Sequence, residues 1–166
     1  MKYPLDKICV KSGVLCPSCQ RKVESGLVNE DDIEVMRSLM DIEEGLKFLS
    51  RKGEYVRSIR GTDSTIIVLR GDFEVGELQE LERALSEKLD TRVKVVIETG
   101  DAKKLVEQII APASLLGLNK VWLPTGAEIV NVRVPKRDMR YLGRKVGDYE
   151  TILSKMLGVE TRIVFE

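Results

Sequence analysis

Histidine is absent from this chain of 166 residues, and its absence argues against triad hydrolases and histidine-dependent metalloenzymes. Histidine is the commonest general base, and it is the central residue of the hydrolase triads. The chain also lacks a Walker phosphate-binding motif and a recognisable pair of catalytic carboxylates. We therefore expect a protein that is not an enzyme. Thiol redox chemistry at Cys16 and Cys19 is the one enzymatic alternative that remains open.

Long apolar runs and net charge are absent as well. No apolar run is long enough to span a bilayer, and the first six residues, MKYPLD, lack the apolar centre of a signal peptide. We therefore expect a cytoplasmic protein without a membrane partner. Basic and acidic residues both number 27, so no overall field attracts the chain to nucleic acid. The charge is nevertheless uneven, because residues 133–145 contain six basic residues against Asp138 alone.

All three cysteines lie in a short N-terminal segment, at Cys9, Cys16 and Cys19. An odd number at this spacing fits a metal site better than a disulfide framework. The C-x-x-C turn directs two sulfurs at one ion, and a structural Zn²⁺ normally has four protein ligands. Asp6 precedes Cys9 by three residues and therefore copies the C-x-x-C spacing with an oxygen ligand. We predict a structural zinc site on these four residues; the alternative is free thiols that pack as small apolar side chains.

The same order of predicted elements occurs twice after this cysteine knuckle. Asn29 is a candidate N-cap for a helix whose apolar stripe, with Met36 and Met40 in the core, ends near Gly53. Strands at residues 55–59 and 66–69, a helix at 75–89 and a strand at 92–97 follow. The strand at 66–69 is continuously apolar, so it should be central and buried on both faces.

The second series begins with a helix at residues 102–111 and strands at 118–123 and 129–134. A short basic helix, a loop, a helix that ends at Leu157 and a strand at 159–165 complete it. We predict an α/β (α+β) chain with a knuckle at 1–28 and two units at 29–99 and 100–166. No linker separates the units, so we expect one rigid body. Trp122 is interpreted as a core residue or a contact between the units, with base stacking as the alternative.

A loop bracketed by Gly143 and Gly147 is the predicted working part of the chain. Glycines let the backbone approach a phosphate closely, and the amides at a helix start favour an anion. Neighbouring Lys and Arg side chains add charge-assisted hydrogen bonds to phosphate. The alternative is that the basic segment is only a solvated helix face. The predicted RNA-binding residues are Arg137, Arg140, Gly143, Arg144, Lys145, Val146 and Gly147.

These features resemble the tandem type II KH domains of NusA and its archaeal NusA-like relatives. The resemblance covers about residues 32–166 and rests on a helix ending in Ala111-Pro112-Ala113, the strand segment Leu118-Asn119-Lys120-Val121, a strand ending in Val134-Pro135, and the helix–loop–helix–strand order that follows. It implies two α-β-β-α-α-β units, each with three strands against three helices. It also implies a G-x-x-G loop that holds single-stranded nucleic acid against its backbone, and an archaeal source.

Both loops depart from the family pattern. Counting back from Leu157-Gly158 places the first loop glycine of the family at Arg144, so the second unit has G-x-x-x-G instead of G-x-x-G. In the first unit, the corresponding loop at residues 71–77 is shorter than the family pattern and acidic. An acidic loop repels phosphate. We therefore expect the second unit alone to bind RNA, while the first braces it or contacts a protein.

The resemblance implies an RNA-binding accessory protein of transcription elongation or termination. Single-stranded RNA would lie on the second unit, and the knuckle would contact RNA polymerase or another large transcription-linked complex. The alternative is a protein–protein adaptor that has kept the KH scaffold and lost nucleic-acid binding, which the missing first loop and the zero net charge favour. Salt dependence separates the two hypotheses, because phosphate contacts weaken steeply with added salt.

Overall fold

The computed structural model describes all 166 residues, and the chain divides into two compact units. The first comprises Met1–Ser58 and Thr65–Glu98, and the second comprises Ile59–Ser64 and Thr99–Glu166. Two three-stranded sheets with accompanying helices confirm the predicted mixed α+β class. No helix combines the length and the apolar character that crossing a membrane requires.

The first sheet has the strand order β1-β2-β3, with helices before and between its strands. Two short helices come first, followed by a longer one and a 3-10 turn at Lys47–Ser50. The helices are α1 (Lys7–Ser12), α2 (Pro17–Glu24), α3 (Glu30–Ile42) and α4 (Val75–Leu89), and the strands are β1 (Glu54–Arg60), β2 (Ser64–Arg70) and β3 (Arg92–Ile97). Residues 65–69 of β2 are all buried, which confirms that β2 is the central strand.

Helix α3 begins at the predicted cap but ends earlier than predicted. The Asn29 side chain accepts a hydrogen bond from the Asp32 amide at 2.8 Å, and the Asp32 carboxylate accepts one from the Asn29 amide at 2.9 Å. Met36 and Met40 are buried in the core, as predicted. The helix stops at Ile42, because the chain turns at Gly45 and continues as a 3-10 helix that buries Leu49.

A single helix connects β2 to β3, so the predicted pair of helices is wrong for the first unit. Only residues 71–74 lie between the end of β2 and the start of α4, which leaves no room for a short helix and a turn. Helix α4 begins with its own capping box between Glu74 and Glu77. The element order of this unit is therefore α-β-β-α-β after the N-terminal segment.

The N-terminal segment shares its core with α3 and the first sheet. Leu5, Val10 and Val28 belong to the same buried cluster as Met36 and the central strand. The Arg37 side chain also donates a hydrogen bond from α3 to the carbonyl of Val10 at 3.1 Å. The segment is therefore packed against α3 instead of standing apart from it.

The second unit has the predicted order α-β-β-α-α-β. Its elements are α5 (Ala102–Ile110), β4 (Gly117–Trp122), β5 (Glu128–Val134), α6 (Met139–Leu142), α7 (Val146–Leu157) and β6 (Glu160–Phe165). Strand β5 is central, antiparallel to β4 and parallel to β6. A buried stripe on α5 and the inner side of α7 supply the apolar residues of this core, among them Leu105, Val106, Ile109, Ile152 and Leu153.

The turn at Ile59–Ser64 belongs to the second unit and contacts the first turn of α7. Asp148 is buried there, and its carboxylate accepts hydrogen bonds from the Thr62 amide and, at 2.6 Å, from the Ser64 hydroxyl. Gly61 has no room for a side chain, because a Cβ would lie 2.2 Å from the Asp148 carboxylate. The carboxylate of Asp148 is therefore fully engaged in holding this turn.

Trp122 is 67% exposed, so its interpretation as a core residue is wrong. It lies at the end of β4, which is an edge strand whose last four residues are all exposed. Val121 and Leu123 on either side of it are also exposed. The strand is correctly predicted, but nothing packs over its end within this unit.

Candidate metal centre and candidate nucleic-acid interface

The structure brings together all four residues of the predicted metal site. Asp6 is the N-cap of α1, which carries Cys9, and Cys16 is the N-cap of α2, which carries Cys19. One potential ligand atom from each residue lies within 4.8 Å of the other three. Two helix starts therefore direct three sulfurs and one carboxylate toward a common point.

Each of the three sulfurs accepts a hydrogen bond from a backbone amide of the cluster. The Asp6 amide donates to Cys19 Sγ at 3.4 Å, and the Cys16 amide donates to Cys9 Sγ at 3.4 Å. The Cys19 amide donates to Cys16 Sγ at 3.5 Å. Hydrogen bonds of this kind favour the thiolate, which is the form of cysteine that binds a metal.

The pKa values of Cys16 and Cys19 shift in opposite directions, and the three thiol groups differ in access to solvent. The hydrogen bond from the Cys19 amide, followed by side-chain hydrogen bonds from Cys19 and Cys9, lowers the pKa of Cys16. For Cys19, the Asp6 amide lowers the pKa, but burial and the neighbouring cysteines outweigh it and raise the pKa above its ordinary value. Cys9 and Cys19 are buried, Cys16 is half-buried and Asp6 is exposed. The cluster therefore has a closed inner side and an open outer side.

The predicted glycine loop is shorter in the structure than in the sequence prediction. A 3-10 turn at Gly143–Lys145 joins α6 to α7, and Val146 and Gly147 already belong to α7. Gly143 has a φ of +52°, a conformation that favours glycine. Gly147 is helical and exposed, and no atom lies within 4 Å of the position that a Cβ would occupy. The bracketing glycines thus have different roles, one in the turn and one at the helix start.

Exposed cations surround this turn, and the single acid among them points inward. The side chain of Arg137 is 82% exposed, and its Nε lies 4.0 Å from the Asp138 carboxylate. Asp138 itself is buried and accepts a hydrogen bond from the Ser114 amide at 2.9 Å. Arg144 and Lys145 have no acidic side chain within 4.0 Å. The turn therefore carries positive charge that the protein does not neutralise.

Arg140 lies beside an exposed aromatic ring that the sequence prediction did not include. Its guanidinium is 4.8 Å from the centre of the Tyr141 ring, and it donates a hydrogen bond to the Tyr141 hydroxyl at 2.9 Å. Arg133, in contrast, is neutralised by two hydrogen bonds to Glu166, at 2.8 and 2.7 Å. Of the predicted binding residues, Arg137, Arg140, Gly143, Arg144 and Gly147 are exposed, and Lys145 and Val146 are half-buried.

A polar groove of about 510 Å³ extends from Gly147 along α7 and β6. Its walls are lined by Glu150, Thr151, Ser154, Lys155, Thr161 and Arg162, among others. The sequence prediction missed these residues. The spacing of Gly147, Thr151, Ser154 and Lys155 places these four residues on one face of α7, so this spacing was the signal that the sequence offered.

No family model matches the chain, and no curated protein matches it either. Among solved structures, 76 chains are similar to it. One of them is the crystal structure of APE1850, with a TM-score of 0.52 and 16% sequence identity over 84% of this chain and 100% of that chain. At this identity the similarity concerns the fold alone, and it shows that this arrangement of helices and sheets occurs in a solved protein.

Proposed function

We propose that this protein binds single-stranded RNA at the turn between α6 and α7. We further propose that it acts as an accessory factor in transcription elongation or termination, in contact with RNA polymerase or another large transcription-linked complex. The observation that carries the RNA proposal is the exposed turn Gly143–Lys145, whose cations Arg144 and Lys145 lack acidic partners. The transcription-linked role rests on the resemblance to NusA-like proteins.

The start of α7 is suited to a phosphate group. The first backbone amides of a helix have no partner within it, and the helix dipole favours an anion there. Gly147 adds no side chain that would keep a phosphate away from these amides. Asp148 would repel a phosphate, but its carboxylate is buried against Thr62 and Ser64. Positive charge therefore dominates the exposed side of this helix start.

The arrangement of the second unit supports a KH-like interpretation. The order α-β-β-α-α-β and a glycine-bearing turn between two helices are what the resemblance to type II KH domains implies. The groove that begins at Gly147 offers bases a polar surface beside the turn. The first unit has neither the second helix nor a basic loop at residues 71–74, so we assign RNA binding to the second unit alone.

Salt-dependent RNA binding tests this proposal. If Arg137, Arg140, Arg144 and Lys145 each contact one phosphate, log Kd should change with log salt with a slope of about 3. The Arg144→Asp/Lys145→Asp double variant should abolish binding of a fluorescent single-stranded RNA pool. The Arg83→Asp/Lys88→Asp variant makes the same charge change on α4 and should bind like wild type. If the Arg144→Asp/Lys145→Asp variant binds RNA as tightly as wild type, the turn is not the binding site.

A pair of glycine substitutions separates RNA binding from folding. Gly147 and Gly76 are both the second residue of a helix that begins with valine, and at both positions the space that a methyl group would occupy has no other atom within 4 Å. Each Gly→Ala substitution should therefore keep the fold and raise its stability by about 0.5–1 kcal/mol. Gly147→Ala alone should weaken RNA binding, because its methyl group would occupy the space of the phosphate. Equal RNA affinity of the two variants would contradict phosphate binding at α7.

An adaptor is the second candidate, and the exposed end of β4 favours it. Trp122, Val121 and Leu123 form an exposed apolar group at a sheet edge. Aromatic side chains of this kind are enriched at protein interfaces. An adaptor would show no salt-sensitive RNA binding in the experiment above, whereas Trp122→Ala would reduce its affinity for the partner.

For the N-terminal cluster we propose a structural Zn²⁺ ion held by Asp6, Cys9, Cys16 and Cys19. Ligands of a tetrahedral zinc ion lie roughly 3.3–3.8 Å apart, given bond lengths of about 2.0–2.3 Å. The four ligand atoms are already within 4.8 Å of one another, so side-chain shifts of about 1 Å would complete the site. The backbone amides directed at all three sulfurs would serve as hydrogen-bond donors to metal-bound thiolates.

Metal titration tests the zinc proposal. The chain should bind one Zn²⁺, and Co²⁺ in its place should give the absorption of a thiolate-bound tetrahedral ion. Cys16→Ser should weaken binding by at least tenfold, and Asp6→Asn should weaken it less, because three thiolates remain. Ser18→Ala lies inside the same turn outside the ligand set and should bind like wild type. No uptake, or uptake that Cys16→Ser does not change, would refute the proposal.

A further inference from the structure

We propose that the cysteine cluster is also a peroxide-reactive site, in which oxidation joins Cys16 to Cys19 and expels the bound metal. The metal-release part rests on the proposed zinc site, whereas the disulfide can form with or without metal. The inference comes from the difference in access among the three thiols and from their position on two separate helices.

Cys16 is the thiol that an oxidant in solution reaches first. It is half-buried, whereas Cys9 and Cys19 are 7% and 1% exposed. It is also the N-cap of α2, where its sulfur accepts a hydrogen bond from the Cys19 amide at 3.5 Å. Accessible cysteines at helix starts are the ones that react with peroxides, because the thiolate is the nucleophile.

Cys19 is the thiol placed to resolve an oxidised Cys16. Cys16 is the N-cap of α2 and Cys19 lies on its first turn, three positions later, in a C-x-x-C arrangement that closes readily into a disulfide. Their sulfurs are within 4.8 Å of each other, so rotation of two side chains and a small shift of one helix turn bring them into bonding distance. Cys9 lies on a separate helix, α1, seven positions before Cys16, so a Cys9–Cys16 bond would close a longer loop than the C-x-x-C bond.

The reaction balances with hydrogen peroxide as the oxidant. The Cys16 thiolate attacks a peroxide oxygen, the O–O bond breaks, and Cys16 becomes a sulfenic acid as hydroxide leaves. The sulfur of the Cys19 thiol then attacks the Cys16 sulfur, and its proton leaves with the hydroxyl group as water when the S–S bond forms. The two sulfurs lose two electrons in total, and the peroxide gains them.

Disulfide formation and metal binding exclude each other at this site. Once Cys16 and Cys19 are joined, only Asp6 and Cys9 remain of the four ligands. Two ligands do not hold a structural Zn²⁺, which normally requires four. The metal should therefore leave as the disulfide forms, and a dithiol reductant should restore binding.

The test uses the full chain, loaded with Zn²⁺ and treated with hydrogen peroxide. A chromogenic chelator measures metal release, and peptide mass spectrometry identifies the disulfide. We expect one Zn²⁺ released for each Cys16–Cys19 disulfide, reversed by dithiothreitol and added zinc. Cys9→Ser should still form the disulfide. Cys19→Ser should instead accumulate a Cys16 sulfenic acid that dimedone traps, and Ser18→Ala should behave like wild type.

The outcomes separate this inference from the zinc proposal. If the chain takes up no Zn²⁺, the zinc proposal and metal release both fail. The proposed thiol reaction then stands only if peroxide forms the Cys16–Cys19 disulfide in the metal-free chain. If Zn²⁺ binds and peroxide leaves it in place, the inference is wrong although the zinc proposal holds. A Cys9–Cys16 disulfide, or oxidation of Cys9 before Cys16, would also overturn it.

Discussion

Asp32→Asn should destabilise the first unit far more than the loss of one surface charge would. Asp32 is 3% exposed, and its Oδ1 atom accepts hydrogen bonds from the Tyr55 hydroxyl at 2.5 Å and from the Ser58 amide at 2.8 Å. The Ser58 hydroxyl adds a third bond at 3.1 Å, and Oδ2 accepts one from the Asn29 amide at 2.9 Å. One buried carboxylate thus connects the start of α3 to β1.

The size of the effect follows from the change in donors and acceptors. Asparagine keeps one oxygen, which replaces Oδ1, but its NH₂ group then faces the Asn29 amide donor-to-donor. A lost buried hydrogen bond with an unsatisfied donor costs about 1–3 kcal/mol, and the three remaining bonds lose the strength that an ionised acceptor gives them. We expect a loss of about 2–4 kcal/mol, and a greater loss for Asp32→Ala, which leaves the buried Tyr55 hydroxyl without a partner.

Urea unfolding followed by far-ultraviolet circular dichroism measures this loss, with Glu30→Gln as the matched control. Glu30 is exposed and also lies in the first turn of α3, so this variant removes the same charge from the helix start at a cost of about 0.3–1 kcal/mol. If Asp32→Asn costs no more than Glu30→Gln, the carboxylate acts only on the helix dipole. The buried hydrogen bonds would then contribute nothing measurable to stability, which would refute the role assigned to the Asp32 carboxylate.

Three further predictions concern Gly61, the Arg133–Glu166 pair and the exposure of Trp122. Gly61→Ala should destabilise the second unit by about 1–3 kcal/mol in thermal unfolding, since its Cβ would lie 2.2 Å from Asp148 Oδ1; an unchanged melting temperature would contradict this contact. Hydrogen bonds from Arg133 lower the pKa of Glu166 below 4.5, so the stabilisation by this pair is present above pH 4.5 and is lost as the pH falls through the lowered pKa. Carboxyl NMR titration should show this pKa and its return toward 4.5 in Arg133→Gln, and an equal pKa in both proteins would disprove the pairing. Trp122 fluorescence should be quenched efficiently by acrylamide, whereas weak quenching would show that the ring is covered.

Elements with a regular apolar period and a clear cap could be predicted to the residue. Helix α4 and strand β3 have the predicted bounds of 75–89 and 92–97, because leucines at helical spacing and alternating valines are local signals. The order of elements in the second unit follows from the same signals. Helix α3 could not be bounded this way, because its apolar stripe continues past Ile42 into a 3-10 helix that buries the same face.

Features that depend on distant residues could not be predicted. The role of Asp148 depends on a turn 84–86 residues earlier in the chain, and nothing in the local sequence distinguishes it from an ordinary first-turn acid. The exposure of Trp122 depends on β4 being an edge strand, which only the strand order decides. In the turn at Gly143, the two glycines indicated a loop across residues 143–147, but Val146 and Gly147 belong to α7.

The cysteine segment shows why two interpretations of one motif can both hold. The spacing of Cys9, Cys16 and Cys19 indicated either metal ligands or small apolar residues of a core. In the structure, Cys9 and Cys19 are buried in the cluster that includes Met36, and their sulfurs also point toward Asp6 and Cys16. Packing in the core therefore holds these two cysteine side chains in position without a metal ion.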